Sequence, residues 1–428
     1  MVANDQTSLL RYPQYVMYWL MRVSTTLGYQ MLFVAVGWQI YDLTNSTLDL
    51  GLVGLFLFIP SVPGIVLVGH VADHYDRRWV IRCAQIGKAL CAGALAFGSL
   101  QGIMTAHMIF WIVLGIGFCR AFDTPTMHTL LPGLVPKEIL SRAVAGGSMA
   151  NQISTMAGPA VGGFLYIFGP EVVYGICFAF FLLASVLVGF IRLNYPPREK
   201  QPVTFATLFA GFTYLRENKI ILGAVTLDLC ALMLGGVLAL LPVFARDILG
   251  TGPEGLGILR SSPAVGAFIG MLILTRIPLR RHAGRLIIGA ICVYGVSVLV
   301  FGISTWMPLS CLALMVYGAM DSLNAVIRHS ITQSRTPNDK LGRVMAVSAT
   351  ATSSANTLGQ FESGVMASLL GVVPSVLIGG VGAIAIALLW IRLFPQLWQV
   401  QSVIPTKEEE ERAAAEATPA PATTTTRT

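Results

Sequence analysis

Among the ionisable side chains within stretches that are otherwise apolar, seven are candidates for chemistry: Arg22, Lys88, Arg120, Asp123, Asp228, Asp321 and Glu362. Their chemistry is that of charge in a medium that does not hydrate it. An ionisable group in hydrocarbon costs at least about 2.5–3.5 kcal/mol, so it turns to an interior and takes a partner. Two roles suit these residue types. Opposite charges can pair and hold helices together. Alternatively, a carboxyl whose charged form is disfavoured by desolvation takes up and releases protons, while arginines draw in an anionic group. Residue type alone leaves both open. Two further titratable groups, His128 and His329, lie near span ends and suit capping more than proton traffic. The seven cysteines form no CxxC pair and read as small buried apolar residues. There is no nucleophile–base set, no metal-ligand cluster and no G-x-x-x-x-G-K-[ST] phosphate cradle. Neither an enzyme nor a cofactor nor a metal is expected, and any transport would run on an ion or solute gradient.

The elements that must position these charges follow from composition. Of 428 residues, 55% are hydrophobic and 11% charged, with a mean hydropathy of +0.71. A soluble domain carries about 25% charged residues, so a soluble protein is excluded. Apolar runs of about 20 residues or more, enough to cross about 30 Å of hydrocarbon, occur at about 15–40, 50–72, 80–101, 106–131, 142–168, 172–193, 220–245, 255–276, 285–304, 308–334, 343–370 and 373–395. This predicts an all-α polytopic membrane protein of twelve transmembrane helices. The N-terminus lacks the features of a cleavable leader, so the first span is expected to be retained.

Alternate loops collect the basic residues: Arg77, Arg78 and Arg82; Lys137 and Arg142; Arg198, Lys200, Arg216 and Lys219; Arg276, Arg280, Arg281 and Arg285; Arg335, Lys340 and Arg343. The intervening loops YDLTNSTLD, QGIMTAH, FGPE, STWMP and LGVVP contain none. Lys and Arg are retained on the cytoplasmic side, which puts both termini there. Only the seventh loop departs, with Arg246 and Arg260 at its edges. The net charge of +7 is therefore topological, and no nucleic-acid partner is expected. The segment 195–219 reads as a cytoplasmic linker with an interfacial helix, and 397–428 as a disordered cytoplasmic tail.

The chain also repeats itself. Pro136, Glu138 and Arg142 align with Pro337, Asp339 and Arg343, and His128, Gly158 and Gly163 with His329, Gly359 and Gly364, all at an offset of about 201. Leu10, Arg11 and Asp42 match Leu215, Arg216 and Asp247 at about 205. Two parallel six-helix repeats, 1–194 and 220–396, are expected to be related by an axis along the membrane normal, with a substrate site between them.

Loop 2–3 reads Gly69-His-Val-Ala-Asp73-His-Tyr-Asp-Arg77-Arg78. It resembles the G-x-L-A-D-R-x-G-R-R motif of the major facilitator superfamily, departing at His74 and Asp76. The resemblance implies a conformational gate. Asp73 would face the start of the eleventh helix near Gly342–Val344, and a motif arginine, Arg77 or Arg78, would bond Asp123. Gly158, Pro159, Gly162 and Gly163 are similar to the core of the helix 5 motif of exporters, with Ser154 where the fuller motif has glycine. Close helix packing alone would also account for those glycines. Arg120-Ala-Phe-Asp-Thr-Pro125 with LLPGLVPKEIL is similar to the subgroup of siderophore and drug exporters.

In that superfamily the first, fourth, seventh and tenth helices line the cavity. The resemblance thus places Arg22, Arg120, Asp228 and Asp321 there, cations from the first half and anions from the second, with Glu362 off that set and Lys88 free to snorkel. It implies a monomeric, proton-coupled exporter of small organic molecules in a bacterial inner membrane. An importer or uniporter on the same fold, and a membrane scaffold or sensor without transport, are the alternatives.

Overall fold

The computed structural model describes residues 9–60, 75–191, 213–274 and 282–401. Among them twelve helices of 12 residues or more follow one another: α1 Pro13–Thr44, α2 Thr47–Phe58, α3 Arg77–Leu100, α4 Ala106–Leu130, α5 Leu140–Leu165, α6 Pro170–Phe190, α7 Lys219–Leu234, α8 Pro253–Leu274, α9 Ala283–Ile303, α10 Met307–Arg335, α11 Asn338–Leu370 and α12 Val372–Leu393. Past a break at Gly235, α7 continues as short 3-10, α and π turns to Ile248. Eight of the helices are long and apolar enough to cross a membrane. α1, α5 and α11 fall outside that group although they are among the longest, because Ser, Thr, Asn, Gln and Gly interrupt their apolar residues. Those three helices pack against several others, so their polar faces meet protein.

Starts and stops are written locally. Ser46, Thr105 and Asn218 accept hydrogen bonds from the backbone N–H groups of Asp49, Met108 and Ile221, which satisfies donors that a helix start leaves open. Gly169 and Gly371 end α5's trailing turn and α11 at φ of 111° and 91°, backbone that side-chain-bearing residues rarely adopt. Both permit an immediate reversal into the next helix, at matching places in the two halves.

The packing repeats. α1 lies against α5 and α6, α3 against α4 and α6, and α2 against α4; α7 lies in the same way against α11 and α12, α9 against α10 and α12, and α8 against α10. The two most extensive crossings between the halves are α5 with α8 and α2 with α11. Both are glycine contacts near the same end. A Cβ on Gly163 would stand 2.8 Å from the Gly257 Cα, and one on Gly51 would stand 3.0 Å from the Gly364 Cα. Backbones this close gain dispersion contacts that larger residues would forbid. Gly69 and Asp73 of the loop motif, the linker up to residue 212, Arg276, Arg280 and Arg281, and the tail from 402 lie outside the described residues.

Candidate functional site

The buried charges resolve into closed pairs and open ones. In the first half Lys88 of α3 pairs with Asp123 of α4, both 2–3% exposed. Gln85 donates to the same carboxylate at 3.2 Å and to Thr25 at 2.9 Å. Lys88 therefore does not snorkel. A buried carboxylate one helix away holds it better than a reach to the interface. Asp123 is likewise not presented to the loop motif; it faces the interior between α3 and α4. The motif arginines go elsewhere, Arg77 to the Thr129 carbonyl at 3.1 Å and Arg78 to the Ile191 carbonyl at 3.0 Å and to Asp76. The Arg78 guanidinium holds the Asp76 carboxyl below the usual carboxylate range.

In the second half Asp228 of α7 is also closed. Arg328 of α10 lies 3.2 Å away, and Asn324 and Thr352 donate to its oxygens at 2.6 and 3.1 Å. Arg328 in turn donates to Ser348 at 3.0 Å. The expected division, cations from the first half and anions from the second, fails here, because Arg328 neutralises Asp228 from within its own half. Arg328 was legible as a charge inside the tenth span, next to His329.

Four sequence-predicted charges remain open. Asp321 is partly exposed at mid-helix in α10, and among the described residues it meets no cation within ion-pair distance. Glu362 of α11 is partly exposed and lies 3.5 Å from the Ser363 hydroxyl. Arg22 meets no carboxylate among the described residues; it donates to the Tyr18 hydroxyl at 2.9 Å. Arg120, the repeat counterpart of Asp321, is exposed in the middle of α4. Its guanidinium carbon stands 4.2 Å over the Tyr29 ring and it also bonds the Tyr29 hydroxyl. Lipid would expel such a group, so its turn towards α1 marks a polar cleft between helices.

Arg260 stacks on the neighbouring ring of the same helix. It sits in the second turn of α8, inside the span rather than at a loop edge, and its guanidinium carbon is 4.1 Å over the Phe33 ring. Tyr29 and Phe33 are one turn apart on α1, with ring centroids 6.0 Å apart.

Arg246, the other basic residue that departs from the loop pattern, occupies the π turn at the end of α7. It pairs with Asp42 of α1 at 3.2 Å, while the next residue, Asp247, accepts a hydrogen bond from Tyr41. Asp42 and Asp247 are repeat counterparts, so the two contacts cross the seam between halves in opposite senses. This latch lies at the end of the bundle where the glycine crossings lie, opposite Arg77 and Arg335. The helix 5 motif supplies part of that seal. Gly158 and Gly162 admit Gln30 and Met31 of α1, the Gly257 backbone meets Pro159, and Gly163 meets α8. Ser154 is buried in the same helix.

Residues 6–421 match the profile of a family described as transmembrane secretion effectors. Curated relatives include the enterobactin exporter EntS of Salmonella choleraesuis, 24% identical over 94% of this chain and 97% of that one, and EntS of Salmonella typhi, 25% identical with the same coverage. Among solved structures, the nucleoside transporter NupG superposes with a TM-score of 0.67 at 16% identity over 89% of this chain and 99% of that one. A bacterial homologue of the iron transporter ferroportin in an inward-facing state gives 0.67 at 20% identity over 92% and 100%. These establish the fold. A D-xylose–proton symporter shares it at 0.66 and 14% identity, over 90% of this chain and 99% of its own.

Proposed function

The chain belongs to the transmembrane secretion effector family of the major facilitator superfamily, a multi-pass membrane transporter of small molecules and not an enzyme, and from that membership we propose that it exports a small organic molecule against inward proton flow. The substrate class is that of siderophores or drugs. The site is the bacterial inner membrane, with both termini cytoplasmic and the monomer as the working unit.

One observation carries the reading. Of the acidic residues within the bundle, Asp228 and Asp123 are saturated by buried cations and hydrogen bonds, whereas Asp321 stands partly exposed, with no cation within ion-pair distance among the described residues. A proton carrier must be able to exist in both charge states during the cycle. A carboxylate locked beside Arg328 cannot lose its charge without leaving that arginine unpaired. Asp321 can. We therefore assign proton coupling to Asp321 and a structural role to Asp228, with Glu362 as a secondary carrier.

The same geometry supports alternating access. The halves meet through the latch and the glycine crossings at one end, which the loop charges make the periplasmic end. This arrangement suits the state that loads substrate from the cytoplasm. Protonation of Asp321 from the outside would allow the return of the emptied carrier. The direction rests on the exporter relatives, since the symporter neighbour has the same fold.

The test is substrate-driven proton movement in proteoliposomes carrying a pH gradient, read with an enclosed pH dye, using catecholate siderophores and lipophilic drugs as the panel. Proton flux triggered by a compound in the wild type and lost in Asp321→Asn is the expected result. Flux that survives in Asp321→Asn, or a bound compound that moves no protons, would overturn the assignment.

A further inference from the structure

Two of the open arginines have an arrangement that the export reading does not use. Arg120 comes from the first half and Arg260 from the second, and both stack on the same aromatic pair of α1, at 4.2 Å from the Tyr29 ring and 4.1 Å from the Phe33 ring. Among the described residues neither guanidinium lies within ion-pair distance of a carboxylate. This sets them apart from Lys88 and Arg328, each of which has its own aspartate at hand. Stacking occupies the face of a guanidinium and leaves its five edge N–H donors. Arg120 spends one of these on the Tyr29 hydroxyl.

Each of the two arginines is an unneutralised cation within the bundle, which is costly at this depth. An anion reaching both edges removes both penalties, and a carboxylate matches the fork of an arginine. The rings beneath supply an apolar floor. We propose that Arg120 and Arg260 form an anion-binding subsite for an aromatic organic acid, seated across the seam between the two halves. This rests on the export reading and narrows its substrate class. Aromatic anions are accepted and lipophilic cations are refused. Because the subsite takes one arginine from each half, occupancy also links substrate to the relative position of the halves.

The experiment uses the purified full-length protein in detergent and three probes of one shape: 2-naphthoate, 2-naphthamide and 2-naphthyltrimethylammonium. Dissociation constants come from isothermal titration. The expected result is naphthoate binding at least tenfold tighter than the amide, no measurable binding of the ammonium, and loss of the naphthoate preference in Arg260→Gln with partial recovery in Arg260→Lys. Equal affinity for acid and amide in the wild type overturns the proposal without recourse to any variant. So does an unchanged preference in a folded Arg260→Gln protein.

Counterflow of labelled naphthoate in proteoliposomes separates this failure from failure of the export reading. Binding preference without counterflow leaves the subsite standing and removes transport of this class. Counterflow of the amide or the ammonium compound at rates equal to the acid leaves transport standing and removes the subsite.

Discussion

At the scale of single residues, the decisive distinction is between charges that are closed and charges that are open. Breaking one partner out of a buried pair costs about 3–5 kcal/mol, while replacing both by apolar groups of similar volume is close to neutral. Lys88→Met is accordingly expected to lower the thermal stability of the purified protein by about 3 kcal/mol, with most of the loss restored in Lys88→Met/Asp123→Leu. An additive double variant would contradict the pairing. Asp228→Asn should destabilise similarly because it strands Arg328, whereas Asp321→Asn should leave the melting temperature unchanged while abolishing coupling. Equal melting shifts for the two variants would refute the division of roles. The sequence made the charged residues legible by type and depth but did not reveal their partners. Pairing depends on which faces of α3 and α4, or α7 and α10, turn towards each other. Arg260 lay inside the expected span 255–276 but near its start, so it read as an edge charge of the seventh loop, and its aromatic partner on α1 was not legible.

Helices and their crossings carry the next level. The all-helical order was legible, and for eight helices the cause is hydrophobic length set by bilayer thickness. The crossings were not, since a glycine in a helix marks close approach without naming the neighbour. The helix 5 motif illustrates this. Its glycines admit α1 on one side and α8 on the other, and the second contact is one of the two most extensive crossings between the halves. Gly163→Val would drive its side chain into the backbone of Gly257 and Pro253 and should force α5 and α8 apart at that end. A cysteine placed at Gln152, which donates to the Ala264 carbonyl of α8 at 3.0 Å, reports on the gap. Its labelling by an impermeant maleimide from the latch side should rise severalfold in Gly163→Val. An unchanged rate would show that the crossing is not part of the seal.

At the scale of the whole molecule, the repeat explains both the similarity of the halves and the latch between them. The repeat was visible as a near-constant offset of weak matches, and it included Asp42 with Asp247. That the two counterparts meet residues across the seam could not be read from the offset, because an offset relates positions within halves and not the surfaces between them. Arg246 and Asp42 are 35% and 57% exposed, so their pair contributes no more than about 1 kcal/mol. Arg246→Ala is thus expected to shift the balance of open and closed latch by about fivefold at most, seen as a change in steady-state transport at constant protein level. A complete block would point to a different role for Arg246. The central claim is that the charge on Asp321 governs which end of the bundle is open. Its most direct test is electron–electron double resonance on spin-label pairs in a cysteine-replaced background, at Leu43 with Ile303 for the latch end and at Val144 with Leu272 for the opposite end. Between about pH 5.5 and 8.5, the two distance distributions should shift in opposite senses in the wild type and stay fixed in Asp321→Asn. Distances independent of pH in the wild type, or a shift preserved in the variant, would contradict it.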